Sequence, residues 1–460
     1  MMASDTAAAR QLPWPRPAQA WWAIAVFFFA AVLSYTDRQV LTLLIDPLRG
    51  DLAITDTQVS LLQGLAFALI YSFAGLPLGR AADLFPRRIV IIIGVSVWSL
   101  ATLACAYVHS FEALFVARVF VGIGEACLAP AAMSMIGDIM PPQRRGTAIG
   151  IFMLGMIVGG GVAILVGGSL LGAIEHGLVA GIPILNGLAP WRAVLALMAL
   201  PGLVLVLCLL TLPEPVRRPS AGQASAQARS SAEVWADLLL YRKALAPLYL
   251  GMALMCVGDY AMGNWLPALL SRKFGMSAGD IGALYGGAVI ASSAIGILGG
   301  SLLADRLIAS GRGYSRIQIA TIAALLALPG AFAGLGGSAQ VVVWAFAWWS
   351  LMSSAAAVIA ITALPEIAPS HMRGLTIAIA SFGNIMMGNG FGTFATPWVN
   401  DHVYADPLMI GVSMTWVSFP VGVAALVFFY RGWRADRRRS APAIPPGAAV
   451  LAPHRDSALE

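Results

Sequence analysis

Charge is scarce in this sequence. Asp, Glu, Lys and Arg make up 11% of the 460 residues, against roughly 25% in a soluble domain. A soluble chain of that composition would need a core larger than its surface permits. Cysteine is equally sparse: Cys105, Cys127, Cys208 and Cys256 each lie inside an apolar run, with neither metal-ligand spacing nor a place in the loops for a disulfide. The five histidines, His109, His176, His371, His402 and His454, fall in loops or tails and form no pair. There is no Gly-rich loop ending in Gly-Lys-Ser/Thr to cradle a nucleotide. Without a nucleophile–base pair or a ligand cluster, an enzyme is not expected, nor is a bound metal or other cofactor.

Apolar sequence is abundant instead. Hydrophobic residues make up 59% of the chain and the mean hydropathy is +0.81. A helix of about 20 mostly apolar residues crosses the hydrocarbon core. Twelve such segments are read, at 20–45, 57–82, 88–108, 111–138, 145–173 and 191–212, then 244–270, 279–305, 315–335, 338–365, 372–398 and 407–430. The expected fold is therefore all-α and membrane-embedded, with two six-helix bundles (20–212 and 244–430) and a Pro/Ser/Arg-rich linker at 213–243 between them. Tails at 1–19 and 431–460 complete the chain. The first apolar run is too long for a signal peptide and is interrupted by Ser34-Tyr35-Thr36-Asp37-Arg38-Gln39, so a retained span is expected.

The net charge of +6 does not imply nucleic acid, because the basic residues sit in alternate loops and in the tails. One set of loops holds only Arg49, Arg192, Arg272 and Lys273. The other set and both tails hold nearly all the rest, so both tails and the linker are expected in the cytoplasm.

The halves echo one another. Asp138-Ile139-Met140-Pro141-Pro142-Gln143-Arg144-Arg145-Gly146 follows the fourth segment, and Glu366-Ile367-Ala368-Pro369-Ser370-His371-Met372-Arg373-Gly374 follows the tenth. Gly79 to Arg88 after the second segment has a weaker partner running from Gly300 to Arg312. Contacts among Gly79, Asp83, Arg87, Arg88, Asp138, Arg145, Glu366 and Arg373 are expected to form a cytoplasmic latch, broken and remade as the halves rock. An acid at such an edge can cap a helix N-terminus or bind an Arg.

Ionisable residues inside spans are functional candidates by default, since each costs at least about 2.5 kcal/mol at mid-membrane. Arg118 and Glu125 are two helical turns apart and share a face; Asp37 and Arg38 are adjacent and diverge by about 100°. At 1.5 Å per residue Asp37 and Arg118 are level, and Glu125 lies ~10 Å deeper than Arg118. Two exchangeable pairs follow as an expectation: Asp37–Arg118 and Arg38–Glu125. A carboxylate beside Arg stays ionised and, once separated in a low dielectric, takes a proton. Glu125 is the first candidate proton carrier and Asp37 the second; Arg38, Arg118 and Tyr35 form the charge network open to an anionic headgroup. In the second half the candidates for a cavity are Asp259, Asn264, Tyr285, Asn384 and Asn389, expected to meet the apolar part of a solute.

Gly79, Asp83, Arg87 and Arg88 match the loop motif of the major facilitator superfamily. Ser34-Tyr35-Thr36-Asp37-Arg38, the run Arg118 to Ala126 containing Gly-Ile-Gly-Glu-Ala, and Ile136-Gly137-Asp138 resemble the Spinster family within it. The resemblance implies a lipid-like anionic solute, of the sphingosine-1-phosphate or lysophospholipid kind, and proton coupling. The Tyr-x-Asp-Arg segment is shared with organic-anion symporters, so a small organic or sugar-acid anion is the alternative. The expected setting is a bacterial inner membrane, the partners lipid, solute and protons, and the chain a monomer.

Overall fold

The structure is a computed structural model that describes residues 14–440 apart from 180, 186, 219–230, 370 and 371; the side chains of 66, 231–238 and 438–440 are likewise left aside. Arg10 and Arg455 of the expected tails, Arg229 of the linker, and Ser370 and His371 of the second loop repeat lie outside the described residues.

Among those residues the chain is all helix and turn. Eleven helices are long and apolar enough to cross a membrane. They are α1 (Pro17–Thr42), α2 (Asp56–Leu84), α3 (Arg87–Cys105), α4 (Phe111–Ile139), α5 (Pro142–Glu175), α6 (Pro190–Leu210), α7 (Leu239–Phe274), α8 (Ala278–Ala309), α9 (Arg316–Leu335), α10 (Ala339–Ile367) and α12 (Pro407–Arg437). The segment expected at 372–398 differs. It forms α11, a helical run over 373–404 in which α turns alternate with π turns at Ile385–Gly392 and Asn400–Tyr404, and it is not among the eleven. Gly388, Gly390 and Gly392 relax the backbone there, at the cost of regular α geometry.

Helix ends follow local chemistry. Proline opens α1, α5 and α6, where its missing N–H costs nothing. The hydroxyls of Ser110, Ser315 and Ser338 cap α4, α9 and α10, and Thr55 with Gln58 forms a capping box on α2. Gly275, at φ +63°, closes α7 in the left-handed conformation.

The helices pack as two groups, α1–α6 and α7–α12, with the strongest associations inside each group, such as α1 on α5 and α7 on α12. The two groups repeat one another in detail: α2 and α8 each contain a π turn within their first ten residues, at Leu61–Leu65 and Gly282–Gly286. These π turns face the other half. A Cβ on Gly64 would lie 2.5 Å from the Asn389 carbonyl of α11, and one on Gly168 of α5 would lie 2.2 Å from the Ala278 carbonyl of α8. Small residues let helix backbones approach this closely in lipid. The seam so formed lies toward the end of the molecule opposite Trp14, Arg218 and the end of α12, here termed the distal end. Nearer the terminus-bearing end the same four helices carry exposed apolar side chains, among them Leu76, Met153, Leu302 and Phe382.

Candidate functional site

The first-half site is built where α1 crosses α4 and α2. Glu125 is 1% exposed. Its Oε2 accepts from Arg38 Nε at 2.9 Å and from Ser34 Oγ at 2.9 Å, and Arg38 Nη2 also lies 2.9 Å away. Oε1 has no hydrogen-bond partner. The Arg38 guanidinium carbon stands 4.8 Å from the ring centre of Tyr35, 4.2 Å from Phe67 and 4.6 Å from Tyr71. Arg38 is thus held by one carboxylate and three aromatic faces, a combination that favours a cation away from water. Tyr260 of α7 lies within electrostatic reach of Arg38 and Tyr35, so the cage faces the second half.

The expected Arg38–Glu125 pair is present. The expected Asp37–Arg118 pair is not formed through the carboxylate. Arg118 Nη1 reaches the backbone carbonyl of Asp37 at 3.4 Å, while Nε and Nη2 have no partner. The Asp37 side chain points instead toward Thr102 of α3, whose hydroxyl lies 3.5 Å from Oδ2. Equal depth brought the two residues level, but the direction of the Asp37 side chain is set by α3, which the depth argument ignored. Arg118 is 1% exposed, so its two unbonded nitrogens, with three N–H groups between them, are a buried donor set with spare capacity.

The second-half residues divide. Asp259 accepts from Trp349 Nε1 at 2.8 Å and from Ser353 Oγ at 2.7 Å, both on α10. Asn264 and Tyr285 serve the break in α7 at Gly263–Trp265: Asn264 Nδ2 donates to Thr393 Oγ1 at 2.8 Å, Trp265 Nε1 to the Thr393 carbonyl at 3.0 Å, and Tyr285 Oη to the Gly263 carbonyl at 2.8 Å. Such a break needs partners for its freed backbone groups. Asn389 is buried in the seam against Gly64, and Asn384 leaves Oδ1 unbonded.

The loop residues expected as a latch pair within their own halves. Arg87 is bonded to Asp138, and its Nε donates to Glu214 Oε1 at 3.0 Å. The Arg88 backbone N–H donates to Glu214 Oε2 at 2.8 Å, and Arg145 donates to the Gly137 carbonyl at 2.6 Å. In the second half Glu366 pairs with Arg316, not with Arg373, whose Nε bonds the Pro365 carbonyl. Asp83 is exposed without an ion pair among the described residues, and Gly79 packs loosely beside Pro130.

Sequence reasoning missed the cage rings Phe67 and Tyr71, although their spacing of four marks one helix face. It missed Gln63, which is 4% exposed with neither amide atom bonded. It also placed Arg272 among ordinary loop cations. Arg272 in fact crosses between the halves, with Nη1 and Nη2 on the two oxygens of Asp56 at 2.7 and 2.8 Å and Nε on Asp46 at 2.8 Å. Beside it the Thr57 N–H and hydroxyl donate to Asp401 at 2.8 and 2.7 Å.

Similarity to known proteins agrees with this architecture. The chain is 29% identical over 63% of its length to an MFS-type efflux pump of Mycolicibacterium smegmatis, 27% over 54% to protein spinster homolog 3 of Danio rerio, and 25% over 64% to a probable galactarate/D-glucarate transporter of Bacillus subtilis. It spans 64%, 48% and 66% of those proteins' lengths, less than two thirds of each. A bacterial homologue of the human lysosomal transporter Spinster, solved in an inward-facing and unoccupied conformation, superposes with a TM-score of 0.78 over 93% of this chain and 100% of that one, at 24% identity. These relatives are transporters, not enzymes. The family model of the Major Facilitator Superfamily matches residues 27–384, and with two mirrored helical groups around a buried charge network, the chain belongs to that superfamily of integral membrane transporters.

Proposed function

We propose that this protein is a secondary active transporter that moves an amphipathic anionic solute, of the lysophospholipid or sphingosine-phosphate type, by alternating access coupled to protons. One observation carries the reading: Arg38 is paired with Glu125 inside an aromatic cage that faces Tyr260 of the other half. An anion that binds Arg38 competes directly with Glu125. Losing its guanidinium in a low-dielectric site leaves that carboxylate to take a proton. Solute binding and protonation then become linked, and rocking of the halves carries both across. The buried Arg118, with two unbonded nitrogens, supplies a second, bidentate hold on a phosphate or carboxylate.

In this reading α11 is the twelfth span, and the terminus-bearing end, the 213–243 linker and both tails face the cytoplasm of a bacterial inner membrane. The bundles at 20–212 and 244–430 are the moving bodies of a monomer. The seam is closed at the distal end, which corresponds to an inward-open state like that of the Spinster homologue. The resemblance to zebrafish spinster homolog 3 favours the lipid-like solute. The galactarate/D-glucarate relative favours a small sugar-acid anion, which the same two arginines would bind, and this is the alternative.

The test is reconstitution into liposomes with labelled lysophospholipid, sphingosine-1-phosphate or glucarate, with and without a pH gradient. Gradient-driven uptake of a lysolipid, lost in Glu125→Gln, is expected. Glucarate uptake without lysolipid movement would hand the site to the sugar acid, and equal gradient response in the mutant would remove the proton role from Glu125.

A further inference from the structure

The first half places every buried acid near a guanidinium; the second half does not. Asp259 sits ~22 Å from the distal end of α7, about the depth of Glu125 in α4. It is partly exposed. Its two oxygens are occupied by neutral donors only, Trp349 Nε1 and Ser353 Oγ. The ionisable groups that face it are Cys256 and Tyr260 on its own helix and Tyr285 on α8. From α10 come the indole and the hydroxyl, and among the described residues no Arg or Lys forms an ion pair with it, neither Arg272 and Lys273 on α7, nor Arg373 on α11, nor Arg431, Arg434 and Arg437 on α12.

The two donors are not equivalent. The indole N–H can only donate. The serine hydroxyl can donate to a carboxylate or accept from a carboxylic acid without moving its oxygen. We propose that Asp259, with Trp349 and Ser353, is a second proton-binding site of this transporter, an acid without an ion pair among the described residues. A proton delivered by a hydronium ion forms the O–H bond on Oδ2, the water left behind keeps the electron pair, and the Ser353 hydroxyl turns from donor to acceptor. Trp349 stays on Oδ1 in both states, so the site changes charge with little change of shape. Tyr260 lies within electrostatic reach of both Asp259 and Arg38.

This inference deepens the proton-coupled reading, and its test needs no solute, so the two fail separately. Infrared difference spectra of the purified full chain in lipid are taken as the pH is stepped from alkaline to acid. A carboxylic-acid C=O band that grows with acidification, is absent in Asp259→Asn and persists in Glu125→Gln is expected. Ser353→Ala is expected to shift the frequency of that band, because the acid has lost its acceptor. The site is overturned if Asp259→Asn has the same bands as wild type, or if the band it removes does not respond to pH. Should Asp259→Asn not fold, an unchanged band in Ser353→Ala overturns it as well.

Discussion

At the distal end Arg272 of the second half reaches across to Asp46 and Asp56 of the first, and Thr57 of the first half holds Asp401 of the second. At the terminus-bearing end the chemistry is the same but the direction differs. Arg87 holds Asp138 and Glu214 inside the first half, and Arg316 holds Asp305 and Glu366 inside the second. In the alternating-access cycle proposed here, a charge pair that crosses the seam is made and broken with each change of state, so it sets populations. A pair inside one half moves with that half, so it sets only the half's stability. Burial alone does not distinguish the two cases: the side chains of Arg87 and Arg272 are 1% and 8% exposed.

The largest effect is expected from Arg272→Ala. Removing one partner of a buried pair costs about 3–5 kcal/mol. Arg49 Nε stays 3.1 Å from Asp56, which holds the loss near the low end, about 3 kcal/mol. In the proposed cycle the pair exists only while the distal end is closed, so the whole loss falls on that state. At 1.4 kcal/mol per factor of ten this is a shift of roughly 100-fold in the equilibrium. Spin labels at Gly50 and His402, one on each half, should report a longer distance in the variant; an unchanged distribution would mean that the glycine seam, not the clasp, holds the distal end.

Arg87→Ala should cost nearly as much, about 3 kcal/mol, and in another currency. Asp138 and Glu214 would be left without their common cation, and the linker start at Pro215, whose carbonyl takes a bond from Arg87 Nη2 at 2.9 Å, would detach. The expected result is a lower melting temperature of the purified protein with the distal label distance unchanged. A distance change in this variant would show that the loop residues act across the seam after all, as the latch expectation had them.

The sequence made parts of this legible and hid others for definable reasons. Helical spacing is a local property, so Arg118 and Glu125 on one face, and Arg38 within reach of Glu125, followed from rise per residue alone. The direction of the Asp37 side chain depended on Thr102 of another helix. The clasp joins residues 216 and 226 positions apart, and no local pattern marks Arg272 out from Lys273 beside it. The loop repeat at Asp138 and Glu366 was visible as text, yet the partners differ: Asp138 takes Arg87, from the start of α3, and Glu366 takes Arg316, from the corresponding start of α9. That correspondence is positional and could be found only once the helices were paired. Gly388, Gly390 and Gly392 of α11 were read as part of an ordinary span, where the π turn they permit forms the seam with α2.

The smallest effect is expected where the second half repeats the Arg87 arrangement in the open. Arg316 Nε lies 2.7 Å from Glu366 Oε1, as short as the clasp, but the Glu366 side chain is 59% exposed and that of Asp305 62%. Water and salt screen such a pair, and exposed pairs contribute about 0–1 kcal/mol. Glu366→Gln should therefore move neither the melting temperature nor the label distance measurably, and what little it changes should vanish as salt is raised. A loss comparable to that of Arg87→Ala would show that Glu366 is shielded in the membrane-embedded protein. The terminus-bearing ends of the two halves would then be alike in strength as well as in pattern.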